Sequence, residues 1–133
     1  MQTLKKILLY IWQLPQNLLG LLVICFTRAL HYNSSDTWET SDYSFGVSLG
    51  NYIIFGTKVC RVSETSLKHE QGHQKQSLYL GWLYLIIIGL PSITFNIWDI
   101  VAHKNWGINK RLDWYYKKLP WERWADKLGK VER

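Results

Sequence analysis

The five residues His69-Glu70-Gln71-Gly72-His73 constrain this chain more than any other stretch. Two histidines four apart share one face if the segment is helical, where they lie about 6 Å apart along the axis. So placed, two imidazoles can both reach one Zn²⁺, each at about 2.1 Å. Glu70 then points beside the ion rather than at it, where a carboxylate can act as general base on an activated water. Ser63-Glu64-Thr65-Ser66 supplies N-cap hydroxyls and an early acid for such a helix. The pentad arises by chance in roughly one chain of this length in a few hundred. The alternative is two solvated histidines on a polar helix start, so a third ligand has to decide.

The candidate lies near the C-terminus, in Pro120-Trp121-Glu122-Arg123-Trp124-Ala125-Asp126. Pro120 suits the first turn of a helix, and Glu122 and Asp126 then share a face. Glu122 would complete a two-His, one-Glu site with the fourth position open to water. Asp126, one turn on, is placed to accept the free N–H of a ligand histidine and fix its tautomer. A surface helix with an ordinary charged face is the competing reading of this segment alone.

The pair of segments, H-E-x-G-H followed downstream by E-x-x-A-D, resembles the gluzincin pattern of HtpX-like and CAAX-prenyl-protease-like membrane metallopeptidases. The resemblance covers about a tenth of the chain. By position it implies His69 and His73 as metal ligands, Glu70 as catalytic base, Glu122 as third ligand and Asp126 as an orienting carboxylate. Those enzymes are longer and carry several spanning helices, so this chain would be a minimal version.

The 133 residues suffice for one domain with a modest core. The chain carries a formal charge of +6 with eight Trp and eight Tyr. Trp and Tyr collect where one end of the ring is wet and the other apolar, as at a membrane–water interface. A basic, aromatic chain is also compatible with nucleic acid, but no nucleic-acid-binding motif is present and the aromatics interleave with aliphatic runs such as Leu83-Tyr84-Leu85. No nucleic-acid partner is expected. Cys25 and Cys60 are far apart and outside any C-x-x-C, so neither a disulfide framework nor a cysteine metal site is expected; Cys25, within an apolar run, should pack as a small hydrophobe.

Residues 1–30 form an apolar N-terminal helical segment. Lys5-Lys6 precede Ile7 to Leu14, Pro15 should end or kink the helix, and Leu18 to Phe26 is apolar again. The basic start resembles a signal peptide, but no small-residue cleavage site follows, and the segment is read as retained. It is either a kinked crossing or an interfacial segment that dips into the bilayer. Residues 31–44, rich in Asn, Ser, Thr and Asp, read as a loop containing the sequon Asn33-Ser34-Ser35. From Tyr43 to Val62 the pattern is that of a strand pair: Phe45, Val47 and Leu49 alternate with small residues, Gly50-Asn51 is a turn, and Tyr52-Ile53-Ile54-Phe55 is apolar and β-prone, with Thr57 to Val62 a further candidate strand. In gluzincin-like peptidases an edge strand here holds an extended substrate, which would make Tyr52, Ile53, Ile54 and Phe55 substrate-binding residues. A purely structural hairpin fits the same pattern.

Leu78 to Leu90 is the most apolar run, and Ile93 to Ala102 is apolar but interrupted by Asn96 and Asp99. A single crossing by residues 78–100 would leave His69 and Glu122 on opposite sides of the membrane, unable to share a metal. A shared metal therefore requires the chain to turn back, and Gly89-Leu90-Pro91-Ser92 is the expected place. Gln76 and Ser77 fall near the site, either to contact substrate or as polar residues at the membrane edge. His103 is a spare histidine with a structural role expected over carbonyl polarisation. Residues 103–133 carry nine Lys and Arg against four acids, interleaved with Trp and Tyr. That tail suits an anionic lipid surface and, by the positive-inside rule, the cytoplasmic side.

The expectation is an α+β, mainly helical, single membrane-associated domain over 1–133. It comprises a β-hairpin (43–62), the zinc helix and an apolar hairpin (63–102), and a basic aromatic tail bearing the third ligand (103–133). It would hydrolyse a peptide or protein substrate with Zn²⁺ at the cytoplasmic side of a plasma or inner membrane. The alternatives are a membrane protein whose zinc site is structural or vestigial, and a metal-free basic adaptor.

Overall fold

A computed structural model describes residues 1–32, 37–42, 45–57 and 63–133. The chain is α+β and mainly helical. In order it forms α1 (Gln2–Trp12), α2 (Leu14–Thr27), β1 (Leu30–Tyr32), β2 (Thr37–Thr40), β3 (Gly46–Leu49), β4 (Tyr52–Gly56), α3 (Glu64–Leu80), α4 (Leu90–Ala102), α5 (Ile108–Lys118) and α6 (Pro120–Gly129). A short 3₁₀ turn (Gly81–Leu83) and a wide π-type turn (Leu85–Gly89) join α3 to α4.

The four strands form one sheet in the order β1-β2-β4-β3, with β2 and β4 parallel and the other pairs antiparallel. Gly50 takes a left-handed φ of 64° in the β3–β4 turn, as the Gly50-Asn51 signal predicts. Ile53, Ile54 and Phe55 are all buried, because β4 is covered on both faces. Ile54 packs with Leu49 of β3 and with Ile24 of α2. On the opposite face, Gly46 lies against the Phe55 ring and the Glu70 side chain of α3. The sheet therefore positions α3.

The segment expected to be loop over 31–44 contributes β1 and β2. Leu30 to Tyr32 pairs with Thr37 to Glu39, and Thr37 to Thr40 gains a parallel partner in β4, a non-local pairing that local composition does not carry. The sequon at 33–35, Tyr43-Ser44, and residues 58–62 of the further strand candidate, with Cys60, lie outside the described residues. Cys25 is exposed rather than packed inside.

Pro15 does bend the N-terminal segment: α1 and α2 meet at 83° around Gln13, with Pro15 in the first turn of α2. A second elbow follows α3 at Gly81, whose φ is 53° and where a side chain would run into the Trp12 indole. The two elbows are clamped together. The Trp12 indole N–H donates to Leu78 O (2.9 Å), and the Trp82 indole N–H donates to Ile11 O (2.8 Å). Between them the Gln16 amide donates to Ser77 Oγ (2.9 Å) and Gly81 O (2.8 Å), and Ser77 Oγ donates to Gln13 Oε1 (2.6 Å). Gln13, Gln16 and Ser77 are all buried, so this junction is polar and internally hydrogen-bonded. Ser77 thus serves the fold, not a membrane edge.

The reversal expected at Gly89–Ser92 is elsewhere. Gly89 is helical, and Pro91 sits in the first turn of α4, where a missing N–H costs little. The chain is continuously helical over Leu85–Ala102, 18 residues long and apolar enough to cross a membrane by length and composition, with 11% of that window buried. It turns back at residues 103–107 instead. Asp99 holds this turn: it accepts from His103 Nδ1 (2.8 Å) and from both Nε and Nη2 of Arg111 (3.0 and 2.8 Å). His103 stacks on Trp106 with ring centroids 3.8 Å apart. It is a turn residue at the far end of α4 from the Ser92 contact with α6, and takes no part in the site below. After the turn, α5 runs back along α4 and delivers α6 to α3.

Candidate metal centre

Helices α3 and α6 cross at their two smallest residues. A Cβ on Gly72 would collide with the backbone of Ala125, and one on Gly129 with the carbonyl of Lys68. Without those side chains the two backbones approach closely, and the long side chains flanking the contact converge. Ser63 caps α3 as expected, its Oγ accepting from Ser66 N at 3.1 Å.

His69, His73 and Glu122 come together in a buried group able to hold a metal ion. Their facing atoms form a nearly equilateral triangle. His69 Nε2 lies 3.0 Å from Glu122 Oε2, His73 Nε2 lies 3.2 Å from the same oxygen, and the two Nε2 atoms are 3.1 Å apart. Ligand bonds of 2.0–2.1 Å at tetrahedral angles need donor atoms about 3.3 Å apart. The triangle closes on such an ion after shifts of a few tenths of an ångström.

The surroundings fix which nitrogens face inward. His69 Nδ1 lies 2.6 Å from Asp126 Oδ1, a carboxylate that only accepts, so Nδ1 carries the proton. His73 Nδ1 lies 2.6 Å from Gln76 Oε1, whose amide is oriented by donating to Trp121 O at 2.8 Å. Both neutral imidazoles therefore aim a lone pair at a carboxylate oxygen. Three acceptors this close repel unless a cation or protons sit among them.

The proton affinities carry the same signature. Burial alone would lower the value for His69, but its contacts with Asp126 and Glu122 overcome that and raise it to about 9. Burial likewise opposes His73, and the Glu122 contact again prevails and raises it. Burial pushes Glu122 up, yet the two imidazoles hold its carboxyl well below the usual range. A buried histidine with a raised value stabilises the metal-free fold below about pH 6.5, and that contribution is lost as pH rises through about 9. The melting temperature of metal-free protein is therefore expected to fall by roughly 5–10 °C between pH 6.5 and 9.5. Metal-loaded protein, whose His69 would carry no proton on the metal-facing nitrogen, should show a much smaller fall over that window. Equal slopes in the two forms would remove His69 from the ligand set.

Glu70 lies beside the triangle, buried between α3 and Gly46 of β3, and its Oε2 has no hydrogen-bond partner among the described residues. Burial raises its proton affinity, opposed by His73 and His69. Every residue assigned from the two motifs, His69, Glu70, His73, Glu122 and Asp126, is thus in one site.

Further side chains serve the site. Gln76 is fully buried, and its Oε1 orients His73. Ser92 Oγ donates to Glu122 Oε1 at 2.6 Å, and the Tyr115 hydroxyl donates to Ser92 O at 3.0 Å. Tyr116 sets its ring edge to face with His69, centroids 4.8 Å apart. The Arg133 guanidinium covers the Tyr116 ring at 3.9 Å while its Nε donates to Asp126 Oδ2 at 2.8 Å. Gln76, at i+3 from His73 on one helix, carried a local signal; Ser92, Tyr115 and Tyr116 are brought in by the return of α5 along α4 and carried none.

The suggested substrate strand is corrected. Tyr52, Ile53, Ile54 and Phe55 belong to β4, which is hydrogen-bonded to β2 on one side and β3 on the other. It has no free edge, and three of the four side chains are buried. Among the described residues, the end strand on the side of Glu70 is β3.

No protein-family model, no curated protein and no solved structure matches the chain.

Proposed function

We propose that this chain is a zinc-dependent peptidase of gluzincin type, acting on peptide or protein substrates at the cytoplasmic face of a membrane. The observation that carries the reading is the triangle of two imidazole nitrogens and one carboxylate oxygen, with Glu70 Oε2, which has no partner among the described residues, beside it. A set of two nitrogens and one oxygen, in near-tetrahedral spacing and with oriented imidazoles, suits Zn²⁺. Bound there, the ion supplies Lewis acidity, polarising a carbonyl and bringing the pKa of a water molecule to near 7.

The protein's own groups do the remaining work. Glu70 accepts the proton of the attacking water and returns it to the leaving amine; its raised proton affinity brings it closer to the pH of the reaction. Asp126 and Gln76 keep both imidazoles presenting Nε2. Burial, with the charges of Glu70 and Glu122, raises the proton affinity of the Tyr116 phenol, whose ring packs edge to face on His69 beside the site. An extended substrate would add along β3 rather than β4, because β3 is the end strand among the described residues and its Gly46 lies against Glu70.

A structural zinc site is closed by four protein ligands, whereas the group found among the described residues has three. That difference favours the enzyme over the structural alternative. The test is hydrolysis of a quenched-fluorescent peptide library by the purified full chain. Cleavage should vanish on treatment with a zinc chelator and return with stoichiometric Zn²⁺. Tight zinc binding without cleavage of any library member would transfer the site to the structural class.

A further inference from the structure

The helix over Leu85–Ala102 has two unlike faces. Ile88, Ser92 and Asp99, with Tyr84 just before the helix, point into the protein, toward β3, α6 and α5. Ile86, Leu90, Ile93, Ile97 and Ile100, three or four residues apart, form an apolar stripe that is more than half exposed. Nothing among the described residues covers it. Along the other side runs α5, antiparallel and fastened by the Ser92–Tyr115 and Asp99–Arg111 contacts. Its exposed residues include Lys110, Lys117 and Lys118.

At 1.5 Å per residue the 18-residue helix is about 27 Å long, close to the hydrocarbon thickness of about 30 Å. Length alone would permit a crossing. An upright crossing would carry α5 and its lysines into hydrocarbon, because α5 is fixed alongside. It would also need α6 to return through the bilayer to reach α3, and α5 is too polar and, at 11 residues, too short to bring it back. The bent N-terminal pair shares this character: Ile7, Leu8 and Ile11 on α1 and Leu22 and Phe26 on α2 are exposed, with Lys5 and Lys6 beside them.

We propose that the occupant of these apolar faces is a single leaflet of an anionic bilayer. The helix over 85–102 lies along the interface with its stripe among the acyl chains, α5 lies in the headgroup layer, and the chain crosses nowhere between α3 and α6. Basic residues flanking an apolar stripe match an anionic lipid surface in charge, and an amphipathic pair of helices matches its polarity gradient. The inference rests on the membrane association proposed above and is independent of hydrolysis. It gives the metal centre a fixed height, since Glu122 is held by Ser92 at the start of α4, next to the lipid-facing stripe.

The test uses the full chain in a Cys25→Ser, Cys60→Ser background, with single cysteines at Glu64, Ile93 or Lys104. In spheroplasts and in inverted membrane vesicles, an impermeant maleimide should label Glu64→Cys and Lys104→Cys from the same side. Ile93→Cys should resist the reagent, and a fluorophore placed there should be quenched by lipids carrying a doxyl group on the acyl chain. In flotation with phosphatidylglycerol vesicles, Ile93→Glu with Ile97→Glu should weaken partitioning at least 100-fold, with unchanged circular dichroism. Labelling of Glu64→Cys and Lys104→Cys from opposite sides would overturn the one-leaflet arrangement while keeping the membrane. Absence of flotation by the unaltered chain would overturn the membrane association itself. A dimer whose dissociation exposes Ile93→Cys to the reagent would assign the stripe to a second copy instead.

Discussion

Glu70→Gln is expected to abolish peptide hydrolysis, lowering kcat by 10³-fold or more, while one Zn²⁺ per chain is retained. The amide has nearly the shape of the carboxylate, so the packing against Gly46 is kept. It cannot take a proton at neutral pH, and proton transfer by a positioned group contributes typically 10²–10⁴-fold. Glu70 is not one of the three converging donors, so metal affinity should change by less than about tenfold. The fold should be held or strengthened, because a buried carboxylate whose Oε2 has no hydrogen-bond partner among the described residues is replaced by a neutral group. Zinc titration and peptide turnover on the same preparation give the answer. Loss of zinc would make Glu70 a ligand; undiminished turnover would deny it the role of base.

Gly72→Ala is the second large effect. Alanine in a helix interior is ordinarily worth up to about 1 kcal/mol over glycine. Here the added methyl meets the carbonyl oxygen, carbonyl carbon and Cα of Ala125, all backbone and unable to swing aside. The helices must separate, at a cost of roughly 1–3 kcal/mol or more for overpacking. The separation acts directly on the donor triangle, because two of its corners ride on α3 and the third on α6. Zinc affinity should fall at least 100-fold and the melting temperature by several degrees. Gly107→Ala, where a methyl meets nothing within 4 Å, is the control and should leave zinc affinity unchanged. A Gly72→Ala protein that binds zinc like the unaltered chain would mean that the helix crossing does not set the site.

The site was legible in the sequence where its parts are local. The four-residue spacings His69–His73 and Glu122–Asp126 are one helical turn each, and together with the resemblance to the gluzincin pattern they pointed to the residues that the fold brings together. That a shared metal would require the chain to turn back between the two motifs also followed from the sequence, because an apolar stretch separates them. Where the chain reverses did not. Gly89 and Pro91 look like a turn, yet a wide helical turn followed by Pro in a first helical turn absorbs both. The actual reversal depends on Asp99 meeting Arg111 and His103, and in the sequence Asp99 stood out only as an interruption of apolar character. Gly72 and Ala125 gave no signal of contact, since small residues mark a close crossing only once the partner helix is known. The strand pattern at Tyr52–Phe55 was correctly β, but its continuous apolar run belongs to an interior strand buried on both faces, not to an edge that receives substrate.

Anomalous diffraction at the zinc edge, from crystals of the full chain grown with Zn²⁺, tests the convergence of α3 and α6 most directly. One peak is expected, about 2.1 Å from His69 Nε2, His73 Nε2 and Glu122 Oε2, with no fourth protein atom in its coordination sphere. A chain with no peak there, or with a peak that the Glu122 carboxylate does not reach, would contradict the account.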